Sequence, residues 1–292
     1  MDAESVLEVC VGAAREAGAI IRAQSGRIAV QATKATCADL VTEADQACQD
    51  LIEARIRARF PGAAFLGEES VAAGSTASAA ALEAALEPSH DLLFIIDPID
   101  GTTNFVCGIP FSCVSIGVAR RNELLVACIY EPYRDELFSA VRGRGAFLRA
   151  GAAEPLRLAV SPEPDLRKCV LGYGLGSSSR VAAVMLRGIG QLEPLTRGQR
   201  SLGSAALQLA YVAAGRLGAF YEVDLSSWDL AAGALLVAEA GGRVTDTRGD
   251  PFSLRVRDVL ASNGAAEAHA GIVSALAAAG ADRAPAYTPA ST

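Results

Sequence analysis

Three short acidic segments carry the side chains of this sequence that are best suited to holding a hard cation. They are Gly67-Glu68-Glu69-Ser70, Asp97-Pro98-Ile99-Asp100-Gly101-Thr102-Thr103 and Ser226-Ser227-Trp228-Asp229. The chain contains only two histidines, His90 and His269, so a metal site must rely largely on oxygen ligands. Carboxylate and carbonyl oxygens favour Mg²⁺, Mn²⁺ or Ca²⁺ over zinc.

The second segment places two carboxylates three residues apart around a proline. Asp97 and Asp100 repel one another unless a cation lies between them, while Pro98 and Gly101 allow the tight turn that brings both side chains to one point. Thr102 and the N–H groups of a following helical turn could hold a phosphate. The same pattern fits an Asx-turn in which Asp100 caps a helix, so two interpretations stay open.

The other two segments indicate little when each is taken alone. Glu68 and Glu69 fit a solvated loop, and Asp229 fits a favourable charge in the first turn of a helix capped by Ser226 or Ser227. The combination of all three segments in one chain is what points to a metal site.

Hydrophobic periodicity predicts the elements that position these residues. We predict helices over 5–24, 43–59, 179–190, 204–214, 228–240 and 265–279, and strands over 92–96, 111–119, 124–130, 136–141, 168–173 and 218–223. The strand over 92–96 should end at Asp97 and deliver it to a loop. The Ser-, Gly- and Ala-rich stretch over 71–81 is predicted to be a mobile surface connection.

The chain divides into two predicted halves and a tail. Residues 1–150 form an N-terminal α+β half with most of the candidate metal ligands, and residues 151–279 form a C-terminal α/β half with Asp229 and the substrate contacts. Residues 280–292 are predicted to be a disordered tail.

Composition excludes several classes of protein. Hydrophobic residues make up 51% and charged residues 20% of the 292 residues, which is ample for a buried core. A net charge of −7 argues against nucleic acid as a partner. Seven cysteines without a C-x-x-C pair favour reduced thiols, and the longest apolar stretches are too short to span a membrane. We therefore expect a cytoplasmic protein with neither a nucleic-acid nor a membrane partner.

A glycine-rich run superficially resembles a dinucleotide-binding loop. It comprises Gly172, Gly174 and Gly176, but the acidic residue expected about twenty positions later is Glu193, just before Pro194 and without a βαβ context. A nucleotide-binding role is therefore disfavoured.

Taken together, the motifs resemble the inositol monophosphatase family of metal-dependent, lithium-sensitive phosphatases. The matching motifs are D-L-V-T-E-A-D at 39–45, G-E-E-S at 67–70, D-P-I-D-G-T-T-N-F at 97–105, R-S-L-G-S-A-A at 200–206, W-D-L-A-A-G at 228–233 and E-A-G-G at 239–242. Their order and spacing match the family over about residues 5–279.

This resemblance implies a set of metal ligands. Glu68, Asp97, Asp100 and Asp229 would bind two or three Mg²⁺ ions per active site together with the backbone carbonyl of Ile99, and Asp97 would bridge two ions. Paired metals can polarise a phosphoryl group and stabilise the leaving oxygen.

The resemblance also implies catalytic residues. Glu68 would position the attacking water, and Thr102, supported by Asp45, would help to orient it. The backbone N–H groups of Gly101 and Thr102 would hold phosphate oxygens.

Substrate contacts follow from the same resemblance. Glu222 matches a family position that hydrogen-bonds ring hydroxyls, and Ser177 and Ala205 match positions that line the pocket. Lys34 is a candidate for an active-site loop, with an exposed loop cation as the equal alternative.

The implied fold is a layered α/β sandwich of the αβαβα type, like inositol monophosphatase and fructose bisphosphatase. It would combine an antiparallel N-terminal sheet with a smaller mixed C-terminal sheet, with the active site between the halves. Family members are usually homodimers, and the apolar strands after Phe105 could supply the interface.

The implied function is hydrolysis of a phosphate monoester of a small polyol by metal-activated water, with myo-inositol monophosphate as the leading substrate. L-galactose 1-phosphate and histidinol phosphate are alternatives with the same chemistry, since relatives specialise on all of these substrates. The sequence departs from relatives near residues 107–109 and between 177 and 200, which leaves the choice of substrate open. A further alternative is an interaction or regulatory protein with residual phosphatase activity, since some bacterial relatives bind the transcription machinery.

Overall fold

The computed structural model describes residues 2–27, 32–33, 40–86, 90–176 and 178–283. Helices and sheets alternate in five layers: two helices, a seven-stranded sheet, two helices, a five-stranded sheet and two more helices. This is the αβαβα sandwich that the family resemblance implied.

Among the described residues, six helices match the predicted ones, and two more lie at 75–85 and 102–107. They are α1 Ala3–Gln24, α2 Glu43–Arg59, α3 Ser75–Ala85, α4 Thr102–Cys107, α5 Ser179–Leu192, α6 Ala205–Ala213, α7 Ser227–Glu239 and α8 Ala266–Ala278. The strands are β1 Ala32–Thr33, β2 Leu40–Val41, β3 Ala64–Gly67, β4 Leu93–Asp100, β5 Cys113–Arg120, β6 Glu123–Glu131, β7 Glu136–Val141, β8 Gly145–Ala150, β9 Leu156–Arg157, β10 Val170–Tyr173, β11 Gly198–Ser201, β12 Ala219–Glu222, β13 Arg243–Asp246 and β14 Val259–Ser262.

The seven-stranded sheet runs in the order β3-β4-β5-β6-β7-β8-β9. Every neighbouring pair is antiparallel, as predicted, except β3 and β4, which pair in parallel. Helices α1 and α2 cover one face with apolar side chains such as Val6, Ile21 and Ile52. The sheet also includes β9, which lies beyond the predicted division at residue 150.

The smaller sheet is mixed, in agreement with the prediction. Its order is β11-β10-β12-β14-β13, with parallel pairing from β11 to β12 and antiparallel pairing from β12 to β13. Helices α5 and α8 pack on its outer face.

Helices α6 and α7 form the central layer between the two sheets. A helix that is apolar all round can be stable only when it is buried on all sides. In α7, ten of the 13 residues are buried, and α6 is buried over almost its whole length. Because both helices contact the larger sheet and also strands of the smaller one, they connect the two halves through one core.

The stretch over 71–81 was predicted wrongly as a mobile connection. Residues Ser75–Ala85 form helix α3, with Ser78 and Leu82 buried. Alanine has the highest helix propensity, and the Ala-rich composition that suggested a loop also suits a helix once one face is packed. The connection itself is limited to residues 71–74, which run into α3.

Strand β4 continues four residues beyond its predicted end, through Asp97 to Asp100. Its pairing with β5 shifts register between Asp97 and Asp100. Pro98 therefore lies in an irregular part of the ladder, where the missing N–H is tolerated. The two acidic side chains are held by the end of a strand rather than by a free loop.

The apolar strands after Phe105 do not supply an open interface face. Helix α1 packs against one side of β5 and β6, and α7 packs against the other, so their apolar side chains belong to the core of the chain. This part of the homodimer prediction is wrong.

The predicted tail begins too early. Ala281 is buried, and the carbonyl of Asp282 accepts a hydrogen bond from the Thr247 hydroxyl. Residues 280–283 are therefore packed against the body of the chain, while 284–292 lie outside the described residues. Within the described ranges, no helix combines the length and apolarity that crossing a bilayer requires.

Candidate metal centre and active site

A cavity of about 510 Å³ opens where the two halves meet. Its wall is built from the loops and element ends that carry the predicted site residues. Among the predicted residues, the cavity is lined by Glu68, Asp100, Gly101, Thr102, Ala205, Glu222 and Asp229.

Three carboxylates meet at one point of this site. Asp97, Asp100 and Asp229 each offer an oxygen atom, and these atoms all lie within 4.8 Å of one another. Asp97 and Asp100 come from the end of β4, while Asp229 comes from the first turn of α7, which is 129 residues further along the chain than Asp100. The fold therefore joins two of the acidic segments that the sequence presented separately.

The backbone around Asp97 explains part of this arrangement. The Ile99 N–H donates a hydrogen bond to Asp97 Oδ1 at 3.0 Å, as in an Asx-turn. Gly101 then adopts φ of 89°, a left-handed conformation that residues with a Cβ rarely take. The Asx-turn that the sequence allowed is present, and it coexists with the carboxylate cluster.

Asp100 caps a helix, but not the helix that follows it. Its carboxylate accepts hydrogen bonds from the Ser204 hydroxyl and from the N–H groups of Ala205 (3.3 Å) and Ala206 (2.7 Å), at the start of α6. Gly101 takes the N-cap position of α4 instead. The sequence did not show which helix Asp100 caps, because this contact spans more than 100 residues and has no local signal.

Asp229 also combines two roles. The Ser226 N–H donates to Asp229 Oδ2 at 2.6 Å, which is the capping-box contact expected for a carboxylate in a first helical turn. The same carboxylate belongs to the three-carboxylate cluster. Its capping role therefore does not exclude metal binding.

The charges in the cavity favour a bound cation. Burial, followed by the neighbouring charges of Asp100 and Glu68, raises the pKa of Asp229 well above its usual value. Burial raises the pKa of Asp100 to about 6, although three hydrogen bonds oppose this. A hard dication would offset both burial and mutual repulsion, and an all-carboxylate donor set suits Mg²⁺ chemistry. The residues present therefore fit the metal that the family resemblance implied.

Asp45 and Thr102 lie side by side, as the resemblance suggested. The Thr102 hydroxyl is 3.4 Å from Asp45 Oδ1 and 3.0 Å from the Ile99 carbonyl oxygen. Asp45 Oδ2 accepts hydrogen bonds from the N–H and the hydroxyl of Thr42 at the start of α2. Burial raises the pKa of Asp45. One carboxylate thus fixes a helix end and reaches the cavity wall.

Glu222 lies at the end of β12 on another wall of the cavity. The Gly176 N–H donates to Glu222 Oε1 at 3.0 Å. Burial raises the pKa of Glu222 to about 8, so its carboxyl group is largely protonated near neutral pH. Glycine is required at 174 because a Cβ there would lie about 2 Å from the Glu222 carboxyl group. The glycine-rich run therefore accommodates this side chain.

Two predicted residues cannot be placed. Ser177 and Lys34 lie outside the described residues. Ala205 lies in the cavity wall, and the Ile99 carbonyl oxygen accepts a hydrogen bond from the Thr102 hydroxyl. The roles of the site residues stay predictions.

Sequence reasoning missed two residues that shape the site. Ser204 caps α6 and donates to Asp100, and Asn104 donates from its amide to the carbonyls of Phe111 and Leu202 at 2.8 Å. These bonds fix the loop before α6 against α4. The serine directly before an apolar helix was a usable N-cap signal, whereas the contacts of Asn104 had none.

Comparison with known proteins agrees with this geometry. The model of the inositol monophosphatase family matches residues 2–281. The chain is similar to inositol monophosphatase 2 of Solanum lycopersicum, with 42% identity over 89% of this chain and 94% of that protein. This chain belongs to the inositol monophosphatase family.

Two further relatives support the assignment of this inositol monophosphatase family member. It is similar to the solved structure of the Thermotoga maritima IMPase, with a TM-score of 0.81, 32% identity and coverage of 94% of this chain and 98% of that one. It is also similar to the Nus factor SuhB of Pseudomonas aeruginosa, with 38% identity over 89% of this chain and 92% of that protein. The family member is accordingly a phosphatase, that is, a phosphoric monoester hydrolase.

Proposed function

We propose that this phosphatase hydrolyses the phosphate monoester of a small polyol, with myo-inositol monophosphate as the leading substrate, and that it depends on Mg²⁺. The observation that carries the proposal is the cluster of Asp97, Asp100 and Asp229 at a cavity large enough for a cyclic polyol phosphate. The inositol monophosphatases of tomato and other organisms among the relatives support this choice of substrate.

The three clustered carboxylates, with Glu68 and the Ile99 carbonyl, would hold two or three Mg²⁺ ions. When bound, Mg²⁺ supplies positive charge that polarises the phosphoryl group and stabilises the leaving oxygen. Because five carboxylates and one arginine line the cavity, this charge is also what would allow an anionic substrate to enter.

Two residues of the cavity wall would also prepare the attack of water. Glu68 and Thr102, the latter supported by Asp45, would orient a water molecule by accepting its hydrogen bonds. The N–H groups at the start of α4 have no acceptor within the helix, so those of Gly101 and Thr102 would hold phosphate oxygens. No covalent enzyme intermediate is needed, since water is the nucleophile.

Glu222 would contact the hydroxyl groups of the substrate. A protonated carboxyl group can donate one hydrogen bond and accept another, which suits a ring bearing several hydroxyls. Ala205 would leave room for the ring, and Ser177 and Lys34 remain proposed neighbours from the family resemblance.

Replacing Glu222 with glutamine tests the choice of substrate. The kcat/KM for inositol 1-phosphate should fall about three- to tenfold, because the amide nitrogen of glutamine cannot accept a hydrogen bond as the hydroxyl of a neutral carboxyl group can, and a neutral hydrogen bond contributes roughly 0.5–1.5 kcal/mol. Hydrolysis of p-nitrophenyl phosphate, which has no ring hydroxyls, should barely change. The measurement is kcat/KM for both substrates in both proteins.

The same variant has a pH signature with a defined sign. Burial raises the folded pKa of Glu222 from its ordinary value of 4.5 to about 8, so the stability linked to this group is fully present below pH 4.5, falls as the pH rises through this window and is lost above pH 8. The stability of Glu222→Gln relative to the wild type should therefore increase between pH 4.5 and pH 8 and stay level above pH 8. In the kinetic comparison, an equal fall in kcat/KM for both substrates would instead show that Glu222 serves the chemistry or the fold.

A regulatory role with residual phosphatase activity is a second candidate, favoured by the similarity to the Nus factor SuhB. The intact carboxylate cluster supports the enzyme over this alternative. Expression of Asp97→Asn in a strain that lacks this protein would separate the two candidate functions, since only a regulatory function would survive loss of the carboxylate cluster.

A cytoplasmic homodimer remains part of the proposal on the strength of the family resemblance. Its interface would have to use surfaces other than the covered faces of β5 and β6. Light scattering of the purified protein would measure the oligomeric state.

A further inference from the structure

Four side chains join the two halves of the molecule across the rim of the cavity. Arg257 donates from Nη1 to the Ser78 hydroxyl at 2.7 Å and from Nη2 to Asp224 Oδ1 at 3.1 Å. The Ser75 hydroxyl donates to the same carboxylate oxygen at 2.8 Å. We call Ser75, Ser78, Asp224 and Arg257 the rim clamp, and all four line the cavity.

The backbone shows what these side chains add. The Leu225 N–H donates to the Arg257 carbonyl at 2.8 Å, and the Asp224 N–H donates to Asp258 Oδ1 at 2.9 Å. The segments that carry Asp224 and Arg257 are thus held together without their ion pair. The additional effect of the rim clamp is its hold on Ser75 and Ser78, which belong to the first turn of α3.

The clamped segments are the ones that carry the proposed site residues. Residues 71–75 begin three positions after Glu68 and line the cavity up to the start of α3. On the other side, Asp224 lies two residues after Glu222 and five before Asp229. The rim clamp therefore fixes the distance between the wall that follows Glu68 and the wall formed by Glu222 and Asp229.

We propose that Arg257 and Asp224 are positioning residues that fasten α3 and residues 71–75 as one wall of the cavity and so set the space for the polyol part of the substrate. This proposal rests on the proposed function, because it assumes that the polyol occupies this cavity.

The chemistry of Arg257 suits this task. Among the described residues that line the cavity, it is the one cation, and its planar guanidinium can hold two partners in a fixed geometry. Its side chain and that of Asp224 are 25% and 23% exposed, so solvent and salt screen this ion pair less than a surface pair. Its buried Nε has no hydrogen-bond partner among the described residues, so the guanidinium depends on the contacts that its two Nη atoms make to Ser78 and Asp224.

The chain offers a matched control, a second arginine that contacts helix α3. Arg255 pairs with Glu83 at 2.6 Å near the other end of α3, with both side chains 54% exposed, and neither residue lines the cavity. Arg255→Met therefore removes an arginine contact to α3 without touching the rim clamp.

The test compares Arg257→Met with Arg255→Met in the full-length protein with Mg²⁺. For Arg257→Met, KM for inositol 1-phosphate should rise about three- to tenfold with kcat changed less than about twofold, because a wall is displaced and the reacting groups are retained. KM for p-nitrophenyl phosphate should not change. Arg255→Met should resemble the wild type on both substrates.

A second readout does not depend on activity. Trp228 is the single tryptophan of the chain, it is 7% exposed and it lines the cavity beside Asp229. Acrylamide should quench its fluorescence more strongly in Arg257→Met than in the wild type or Arg255→Met.

Asp224→Asn provides an independent variant should Arg257→Met fold poorly. Asp224 has φ of 65°, and asparagine tolerates this left-handed conformation, so only the charge is lost. It should reproduce the rise in KM and in quenching, and the double variant should exceed neither single variant.

Two results would overturn the proposal. Equal losses of melting temperature in both arginine variants, with KM and quenching unchanged, would make the rim clamp an ordinary structural contact. A large fall in kcat on both substrates would assign Arg257 to the chemistry. Absence of phosphate release by the wild type would refute the proposed function. The comparison of acrylamide quenching would still test whether the rim clamp holds the cavity wall in place.

Discussion

Replacing Asp229 with asparagine is expected to lower turnover about a thousandfold, since loss of a metal ligand removes several kcal/mol of transition-state stabilisation. The fold should survive at equal or slightly greater stability. Asparagine can still accept the 2.6 Å hydrogen bond from the Ser226 N–H, and the repulsion from Asp100 and Glu68 that raises the pKa of Asp229 disappears. Activity and the free energy of unfolding are measured on the same preparation.

Glu267→Gln is the control for this substitution. Glu267 is also an acidic residue in the first turn of a helix, but it lies on α8, exposed and away from the cavity. Its replacement should leave activity unchanged. If Asp229→Asn unfolded the protein while the folded fraction kept its specific activity, Asp229 would be a helix cap and nothing more.

Removal of divalent metal is the second change with a large expected effect. Dialysis against EDTA should abolish phosphate release, and Mg²⁺ in the millimolar range should restore it, because the cluster of Asp97, Asp100 and Asp229 offers only oxygen ligands and Mg²⁺ dehydrates reluctantly. The family resemblance adds that Li⁺ should inhibit. The measurement is initial rate against free Mg²⁺.

Thermal unfolding gives a check on metal binding that is independent of catalysis. A ligand that binds only the folded state raises its stability with concentration. Mg²⁺ should therefore raise the melting temperature of the wild type and have little effect on Asp97→Asn. Full activity after exhaustive chelation would contradict the metal-dependent mechanism.

The long amphipathic elements were predictable because their information is local. The helical period and the following Pro61-Gly62 defined α2 at 43–59, and the alternating strand between two turns defined β7 at 136–141. The two helices of the central layer were predicted as well, because each is a long apolar run and, for α7, a serine cap precedes it.

The errors arose where tertiary contacts decide the structure. Small residues over 71–81 looked like a loop, yet Ser75 and Ser78 are fixed from the other half of the chain by Asp224 and Arg257. Strand β4 passes through Pro98 because its irregular pairing with β5 tolerates a missing donor. Neither partner is adjacent in sequence, so neither effect had a local signal.

The candidate site shows the same division. Each acidic segment was ambiguous alone, and the local alternatives for Asp97 and Asp229 are both present as hydrogen bonds in the structure. The family resemblance pointed to the side chains that meet in the site. The hydrogen bonds from the first residues of α6 to the Asp100 carboxylate became evident only from the fold. Capping and metal binding are compatible because a carboxylate has several acceptor sites.

Phosphate release from a panel of sugar and polyol monophosphates, measured with Mg²⁺ for the wild type and Asp97→Asn, tests the central claim most directly. The account predicts that the wild type releases phosphate with the highest kcat/KM on inositol monophosphate, and that Asp97→Asn loses activity on every substrate. Release from none of the monoesters, or equal rates in the two proteins, would contradict it.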